Sequence, residues 1–428
     1  MNGRRFTAWL GAALLLAALS SCSVTRHIPS GDYLLNKTEI KIERDHGLTK
    51  KELVTQSELD KYVRQHPAKR FLGTNLPSAI YVQANPKRNT WWNRLKKRIG
   101  REPVLLDTAQ TRASAEGMKI YMDSRGLLNS SSSFTNDTLK RKARVTYLVN
   151  QGAPYRLGTI DYRFRDNFVR SVILSDTAAS LLRSGNIFDV NVLDRERARI
   201  TDDLKNRGYY NFSINNISYV ADSVPGERII NLTMVVRRSM SGYDAEGEAI
   251  LENNQIYRIR NIYVFSNYNP TVAATDSLYE RRLDTLSYKG LNIIYDMREN
   301  VRPEILRRAV SLYPNYLYNA EAVQRTYDNL IRLGYYRTAN ILFTESADST
   351  AGDNLVTFVG DGADTTGQTA YTSERYLDCK ILCTPTTRQS YSVDLEGAFS
   401  DDYFALIAKV GYQNRNLFRG AGLFDASI

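Results

Sequence analysis

The sequence predicts an α+β protein in which three tandem β-α-α-β-β units are followed by a set of amphipathic β-strands. An internal repeat indicates the units: DDLKNRGYYNFSINNISY at 202–219 matches DNLIRLGYYRTANILFTE at 328–345 almost position for position. Both copies read as a helix, a glycine and a strand, and strand-forming segments surround them in the same order. Beyond residue 375 the sequence changes to segments of about ten residues in which apolar and polar side chains alternate.

The N-terminus predicts an exported protein. Arg4 and Arg5 precede the apolar run WLGAALLLAAL, which is shorter than the ~20 residues of a membrane-spanning helix, so residues 1–21 are interpreted as a signal peptide. The junction LSSC at 19–22 resembles the lipobox of bacterial lipoproteins. That resemblance implies cleavage before Cys22, lipidation of this cysteine and an anchored linker at 22–35. An ordinary secretory leader with an incidental cysteine is the alternative.

Composition and charge exclude several classes of function. The chain of 428 residues has a formal net charge of +11, but its 57 Lys and Arg are mixed with 46 Asp and Glu, so we expect no nucleic-acid binding. The three histidines lie near the N-terminus, far in sequence from Cys379 and Cys383, and form no metal-binding set with them. No catalytic triad, P-loop or dinucleotide motif stands out. We therefore expect neither an enzyme nor a cofactor.

The three units are predicted at 36–152, 155–238 and 255–360. Each contains a helix that ends at a glycine suited to the left-handed conformation, and these glycines are Gly126, Gly208 and Gly334. Two strands are expected after each glycine. In the third unit these strands are NILFTES and NLVTFVG.

The helix of the third unit shows the clearest pattern. Asn319 is placed to cap its start. Its apolar stripe is expected to consist of Val323, Tyr327, Leu330 and Ile331, which follow the helical period.

The first unit carries an insertion, NPKRNTWWNRLKKRIGREP, that combines basic residues with two tryptophans. A helix of this composition is typical of an anionic membrane surface, and a solvated connecting helix is the alternative interpretation. The candidate contacts with a membrane or a partner are Lys87, Arg88, Trp91, Trp92, Arg94, Lys96, Lys97 and Arg98.

Residues 361–375 are polar and are interpreted as a linker, after which 376–428 is expected to begin a transmembrane β-barrel. Its first strand is predicted at about 376–384, with Leu377, Cys379, Ile381 and Cys383 on one face. Two cysteines four residues apart on a strand are too far apart for a disulfide. Soluble β-structure has the same alternation, so the periodicity alone leaves both interpretations open.

The order of these parts, with the junction GYY after the helix, resembles the polypeptide-transport-associated (POTRA) domain. The segments LDCKILCTPTTRQSYSVDLEG and NRNLFRGA are similar to the opening strands of the barrel in the BamA/TamA family. CSVTRHIPSGDYLLNK is similar to a lipidated, TamA-like branch known from Bacteroidetes. The family continues through many more strands, so the resemblance implies that this sequence is truncated at its C-terminus.

The resemblance implies assembly or insertion of outer-membrane proteins. The POTRA domains would lie in the periplasm, with the lipid anchor in the outer membrane, and would bind unfolded clients by strand addition. The implied partners are outer-membrane lipid, unfolded outer-membrane protein clients and an inner-membrane-anchored translocation partner. A periplasmic adaptor lipoprotein that binds a partner without forming a barrel is the alternative.

Overall fold

The structure is a computed structural model. It describes residues 24, 28–29, 31–45, 48–49, 52–68, 75–84, 90–298, 300–346, 355–357, 371–373, 375–400 and 403–428. The predicted signal peptide, Cys22, Lys87 and Arg88 lie outside these residues. Helices and small sheets alternate along the described chain, which confirms the α+β class. No helix within the described ranges is long and apolar enough to cross a membrane.

The described residues form two compact units. One consists of the described residues up to 160 together with 182–193 and 221–232, and the other of 161–181, 194–220 and 233–428.

The first sheet belongs to the first of these units. Its strands are β1 (Leu34–Arg44), β2 (Ser131–Leu139) and β3 (Lys142–Gln151). Between β1 and β2 lie α1 (Gln56–Asp60), α2 (Leu76–Val82), α3 (Trp91–Ile99) and α4 (Thr108–Ser124). The strand order is β1-β3-β2, with β1 parallel and β2 antiparallel to β3. Alternate residues of β3, such as Tyr147, are buried in one cluster with Met118 and Met122 of α4.

The second sheet repeats this strand order. Its elements are β4 (Arg156–Phe164), α5 (Arg170–Ser175), α6 (Val190–Asn206), β5 (Ile217–Ser223) and β6 (Ile229–Val236). The order is β4-β6-β5. A hairpin of β7 (Ser239–Tyr243) and β8 (Ala249–Glu252) follows.

The third sheet has five strands. The chain segment that builds it contains β9 (Tyr257–Phe265), α7 (Pro270–Thr275), β10 (Asp284–Tyr288), β11 (Leu291–Tyr295), α8 (Pro303–Ala309), α9 (Ala320–Arg332), β12 (Tyr336–Glu345) and β15 (Arg375–Pro385). Between β12 and β15, β13 (Leu355–Thr357) and β14 (Tyr371–Ser373) form a separate two-stranded sheet. The strand order is β10-β11-β9-β15-β12, so its last three strands repeat the order of the first two sheets. As expected, Asn319 caps α9, its Oδ1 accepting the Ala322 N–H at 2.7 Å. Leu330 is fully buried, whereas Tyr327 is exposed.

The segment interpreted as the first barrel strand belongs to this third sheet. β15 is parallel to β9 and antiparallel to β12, and it lies between them. Its residues Leu377, Cys379, Ile381 and Cys383 are all fully buried. The prediction was wrong because a strand packed on helices and a barrel strand have the same period of two, and the pairing with the distant β9 cannot be read from β15 itself.

The boundaries predicted around this segment change with it. The third repeat extends to Pro385 instead of ending at 360, and the segment 376–385 is its central strand. The described residues of NLVTFVG, 355–357, form β13, which pairs with β14 and not with β12. Most of the predicted linker at 361–375 lies outside the described residues.

A separate antiparallel sheet follows at the C-terminus. Its strands are β16 (Gln389–Ser400), β17 (Tyr403–Leu417) and β18 (Gly422–Ser427), in this order. The motif NRNLFRGA forms the end of β17 and the turn into β18. Asn416, which is buried, donates from Nδ2 to the carbonyl of Asn300 at 2.7 Å, and the Arg302 N–H donates to the Arg419 carbonyl at 3.0 Å. The motif thus attaches this sheet to the residues that precede α8.

Gly126 and Gly208, which follow the main helices of the first two repeats, contact the start of the next repeat. The Gly126 carbonyl accepts the Tyr155 N–H at 2.8 Å just before β4, and the Gly208 carbonyl accepts the Tyr257 N–H at 2.9 Å at the start of β9. Gly208 has φ +105°, which a residue with a side chain rarely adopts. The second tyrosine of this GYY, Tyr210, packs against the ring of Tyr257 with centroids 5.6 Å apart. The repeated sequence therefore serves as a connection between successive sheets.

Candidate functional site

A groove runs between the outer strand β2 of the first sheet and helix α4. β2 pairs with β3 on one side, and no described strand pairs with its other side. The groove has a volume of about 650 Å³ and is lined by Arg112, Ala115, Glu116, Lys119 and Ile120 of α4 and by Ser132, Ser133 and Phe134 of β2. An unpaired strand edge carries free backbone donors and acceptors, so the groove offers a place where an extended chain can pair.

The sequence of α4 explains why this groove is apolar at its centre. Asp107 caps the start of the helix, its Oδ1 accepting the Ala109 N–H at 2.8 Å. Its buried face includes Met118 and Met122, and Ile120 points away from that face and is 67% exposed. Ile120 and the half-buried Phe134 therefore present apolar surface between charged rim residues.

Asn136 adds an unsatisfied acceptor on the same strand. It lies two residues beyond Phe134, on the face of β2 that Ser132 and Phe134 share. Its Oδ1 is buried and has no hydrogen-bond partner among the described residues. A buried acceptor without a partner costs free energy, so a donor from a bound chain would be stabilising there.

The predicted tryptophan-containing segment forms helix α3. Trp91 and Trp92 are 61% and 64% exposed, and their rings are in edge contact with centroids 4.4 Å apart. Arg94, Lys97 and Arg98 are exposed and Lys96 is half-buried, all on the same helix. The structure thus brings together the six described members of the predicted set, while Lys87 and Arg88 lie outside the described residues.

The two cysteines of β15 have no reactive environment. Burial raises the pKa of the Cys383 thiol to about 12 and raises that of Cys379 further. Both are free thiols. A thiol with a raised pKa is a poor nucleophile at neutral pH, so these residues act as small apolar side chains in the core. The described residues also contain no cluster of three or more His, Cys, Asp or Glu that could hold a metal.

A second surface depression lies on the open face of the β4-β6-β5 sheet. It has a volume of about 880 Å³, and its lining includes Arg163, Arg165, Arg237 and Arg238. Arg237 donates to the Ser218 hydroxyl at 2.9 Å and Arg238 to the Arg165 carbonyl at 3.2 Å. Within the described chain none of these four guanidinium groups forms an ion pair with a carboxylate. The surface is therefore positively charged and open to an acidic ligand.

No family model and no curated protein matches the chain. The chain is similar to several solved structures at low sequence identity. For POTRA domains 3–5 of BamA from Haemophilus influenzae the identity is 13% and the TM-score 0.36, over 83% of this chain and 98% of that one. For BamA from Haemophilus ducreyi lacking POTRA domains 1–3 the values are 11% and 0.36, over 64% of this chain and 37% of that one. For POTRA domains 1–3 of Omp85 from Anabaena they are 12% and 0.26, over 84% and 98%.

Sequence reasoning did not identify the groove residues. The helix and the strand on either side of Gly126 were expected, but no binding site was assigned to their residues. Ile120 could have indicated the groove, because it is a large apolar residue that lies off the buried face of the helix, two positions from Met118 and two from Met122. Phe134 gave none, since an apolar residue in a strand normally belongs to the core.

Proposed function

We propose that this protein is an outer-membrane protein assembly factor of the BamA/TamA type, in which the three β-α-α-β-β repeats are POTRA domains that bind unfolded clients by strand addition. The groove beside β2 carries this proposal. Its unpaired edge supplies backbone hydrogen-bonding groups, and Ile120 with Phe134 supplies an apolar site for alternate side chains of an extended client. Because backbone pairing demands little of the sequence, such a site suits many different clients.

The C-terminal sheet is proposed to begin the membrane-embedded part. Tyr391, Val393 and Leu395 lie on one face of β16, and the register pairs Val393 with Val410 of β17 on that face. All four side chains are exposed, whereas polar residues such as Asp394 occupy the other face. β16 and β17 are 12 and 15 residues long, more than the ~9–11 that a transmembrane strand needs. The barrel would thus start near Gln389 instead of Tyr376.

The proposed location is the periplasmic face of the outer membrane, with Cys22 as the lipid anchor. The proposed partners are outer-membrane lipid, unfolded outer-membrane protein clients and an inner-membrane-anchored translocation partner. Substitution Cys22→Ala removes the acylation site, so we expect less of the protein in the membrane fraction, and unchanged membrane association would contradict the anchor.

Binding of a fluorescent peptide with alternating apolar residues, taken from an outer-membrane protein strand, tests the groove. Fluorescence anisotropy would be measured with the mature chain in solution, without lipid. Ile120→Glu is expected to weaken binding about tenfold or more, because it places a charge where an apolar side chain is seated. Leu139→Glu is the matched control, since Leu139 is 75% exposed on β2 and does not line the groove. Absence of binding, or equal effects of both substitutions, would contradict the proposal.

The arginine surface of the second sheet favours a second candidate function, that of a periplasmic adaptor. Four arginines without a carboxylate partner in the described chain are complementary to an acidic protein partner. Arg163→Glu with Arg237→Glu is expected to abolish co-purification of an acidic periplasmic partner while leaving peptide binding at β2 unchanged. If the double substitution changes no co-purified protein, the adaptor function loses its support.

A further inference from the structure

The apolar side of helix α3 is largely exposed. Trp91, Leu95 and Ile99 recur at every fourth residue and therefore share one side of the helix, which Trp92 widens. Both tryptophans and Ile99 are about 60% exposed, and Leu95 between them is half-buried. An amphipathic helix of a soluble domain normally buries this side, so its exposure points to a partner surface that covers it.

The polar side of the same helix is only partly covered, because Asn93 and Lys96 are half-buried whereas Arg94, Lys97 and Arg98 are exposed. Lys97 is about half a helical turn away from the apolar residues and borders a cavity of about 280 Å³ together with Ile28, Tyr81 and Leu105. The end of the helix is also held, because the Arg101 N–H donates to the Pro77 carbonyl of α2 at 3.0 Å. The C-terminal end of α3 is thus attached to α2.

The N-terminal segment of the chain packs against α2, the helix that precedes α3. Val24 and Ile28 are buried in one cluster with Leu34 and with Ala79 of α2. Cys22 precedes Val24 by two residues in the sequence. A lipid on Cys22 would therefore be tethered by a short stretch of chain to residues that pack against α2.

We propose that α3 and the lipid anchor form one membrane-docking surface, in which the apolar side of α3 lies in the headgroup region of the leaflet that holds the acyl chains of Cys22. The proposal rests on the lipidation of Cys22 described under the proposed function. Lys96 and Arg98 flank the apolar side on its two borders and are placed to reach lipid phosphates. An anchor and an amphipathic helix together hold the first repeat against the membrane, where an acyl anchor alone would leave it free to turn.

The tryptophans of α3 are natural probes of this docking. The chain has three tryptophans, and Trp9 is in the signal peptide, so Trp91 and Trp92 give all the tryptophan fluorescence of the mature protein. The lipidated mature protein would be reconstituted in phosphatidylcholine–phosphatidylglycerol vesicles, with and without brominated acyl chains, after mass spectrometry of the acylated Cys22. The measured quantities are the emission maximum, quenching by the brominated lipid and quenching by aqueous acrylamide.

On the vesicles, we expect the tryptophan emission maximum to lie at a shorter wavelength than in detergent-free solution. We also expect the tryptophans to be quenched by brominated lipid and protected from acrylamide. Ile99→Glu is expected to reduce the brominated-lipid quenching severalfold while the acyl anchor keeps the protein on the vesicles, and Leu139→Glu is the control expected to leave it unchanged. Tryptophans that remain open to acrylamide and insensitive to brominated lipid would overturn the proposal, as would a Cys22 without acyl groups. The peptide experiment contains no lipid, so its outcome is independent of this one.

Discussion

Asp166 accepts two hydrogen bonds from Asn254, one from its backbone N–H and one from its Nδ2, both to Oδ2 at 2.6 Å. Asp166 lies just beyond β4, and Asn254 lies in the connection from β8 to β9. Both side chains are buried, and the other carboxylate oxygen of Asp166 accepts the Phe168 N–H at 2.9 Å. The pair therefore fixes the chain segment that leads into the third sheet.

Asp166→Ala is expected to lower the free energy of unfolding by about 2–4 kcal/mol, because two buried N–H groups of Asn254 and the partly buried N–H of Phe168 lose their acceptor. Chemical denaturation would measure the loss. Asp161→Ala, on an exposed position of β4, is the matched control and should change stability by less than about 0.5 kcal/mol. Equal effects of the two substitutions would show that the link between Asp166 and Asn254 adds nothing to stability.

Gly208 and Gly334 occupy equivalent positions in two repeats. Substituting each by Ala separates the effect of a steric contact on stability from the effect of backbone strain. Both have positive φ, +105° and +70°, so Ala at either position is strained by about 1–2 kcal/mol. A Cβ at Gly208 would lie 3.0 Å from Ile256 Cγ2, whereas a Cβ at Gly334 would meet nothing within 4 Å. Gly208→Ala is therefore expected to destabilise the protein more than Gly334→Ala in thermal or chemical denaturation. The reverse order would contradict the role of Gly208 at the junction with the third sheet.

Glu196 is expected to make stability depend on pH. Burial raises its pKa, but the Arg199 guanidinium and the Leu181 N–H, at 2.9 Å, donate hydrogen bonds that lower the pKa below its ordinary value overall. A carboxyl group with a lowered pKa in the folded state contributes stability above its unfolded pKa of ~4.3, and this is lost as the pH falls through the folded value.

Glu196→Gln should therefore cost about 1–3 kcal/mol at neutral pH, and its difference from the wild type should shrink as the pH falls below 4. Urea denaturation at several pH values measures this. Glu321→Gln is the control, because the ion pair of Glu321 with Arg325 is exposed and contributes ~0.5 kcal/mol or less. A pH-independent difference for Glu196→Gln would contradict the prediction.

The burial of β15 predicts the reactivity of its cysteines. In a Cys22→Ser background, Cys379 and Cys383 should react slowly with a thiol reagent at pH 8 in the folded protein, because their raised pKa values keep them protonated in the core. Both should react at once in guanidinium chloride. Leu139→Cys supplies an exposed thiol as a positive control. Rapid labelling of both native cysteines would contradict the placement of β15 at the centre of the third sheet.

Local sequence signals predicted local structure well. Asn319 caps α9 as its side chain indicated, and the positive φ of Gly126, Gly208 and Gly334 follows from their positions after helices. Tyr327 was placed on the apolar stripe of α9 but is 42% exposed, since the helical period fixes the side of a helix and not the width of its buried face.

Features that depend on pairing between distant segments were not predictable. The alternation of β15 predicted a strand correctly, but its partners β9 and β12 are set by tertiary packing. The groove at Ile120 could not be predicted for the same reason, because an unpaired edge is a property of the whole sheet. The tryptophan helix was predicted from composition, whereas the exposure of its apolar side depends on tertiary packing.

Hydrogen–deuterium exchange of the mature chain, with and without the client peptide, tests the central claim most directly. Strand addition at the first sheet predicts slower exchange of backbone amides in β2, Ser131–Leu139, because its outward-facing N–H groups become hydrogen-bonded to the peptide. The outer strand of the third sheet, β12, should exchange at the same rate in both samples. Protection of β12 with none in β2, or no protection at any strand edge while the peptide is bound, would contradict the account.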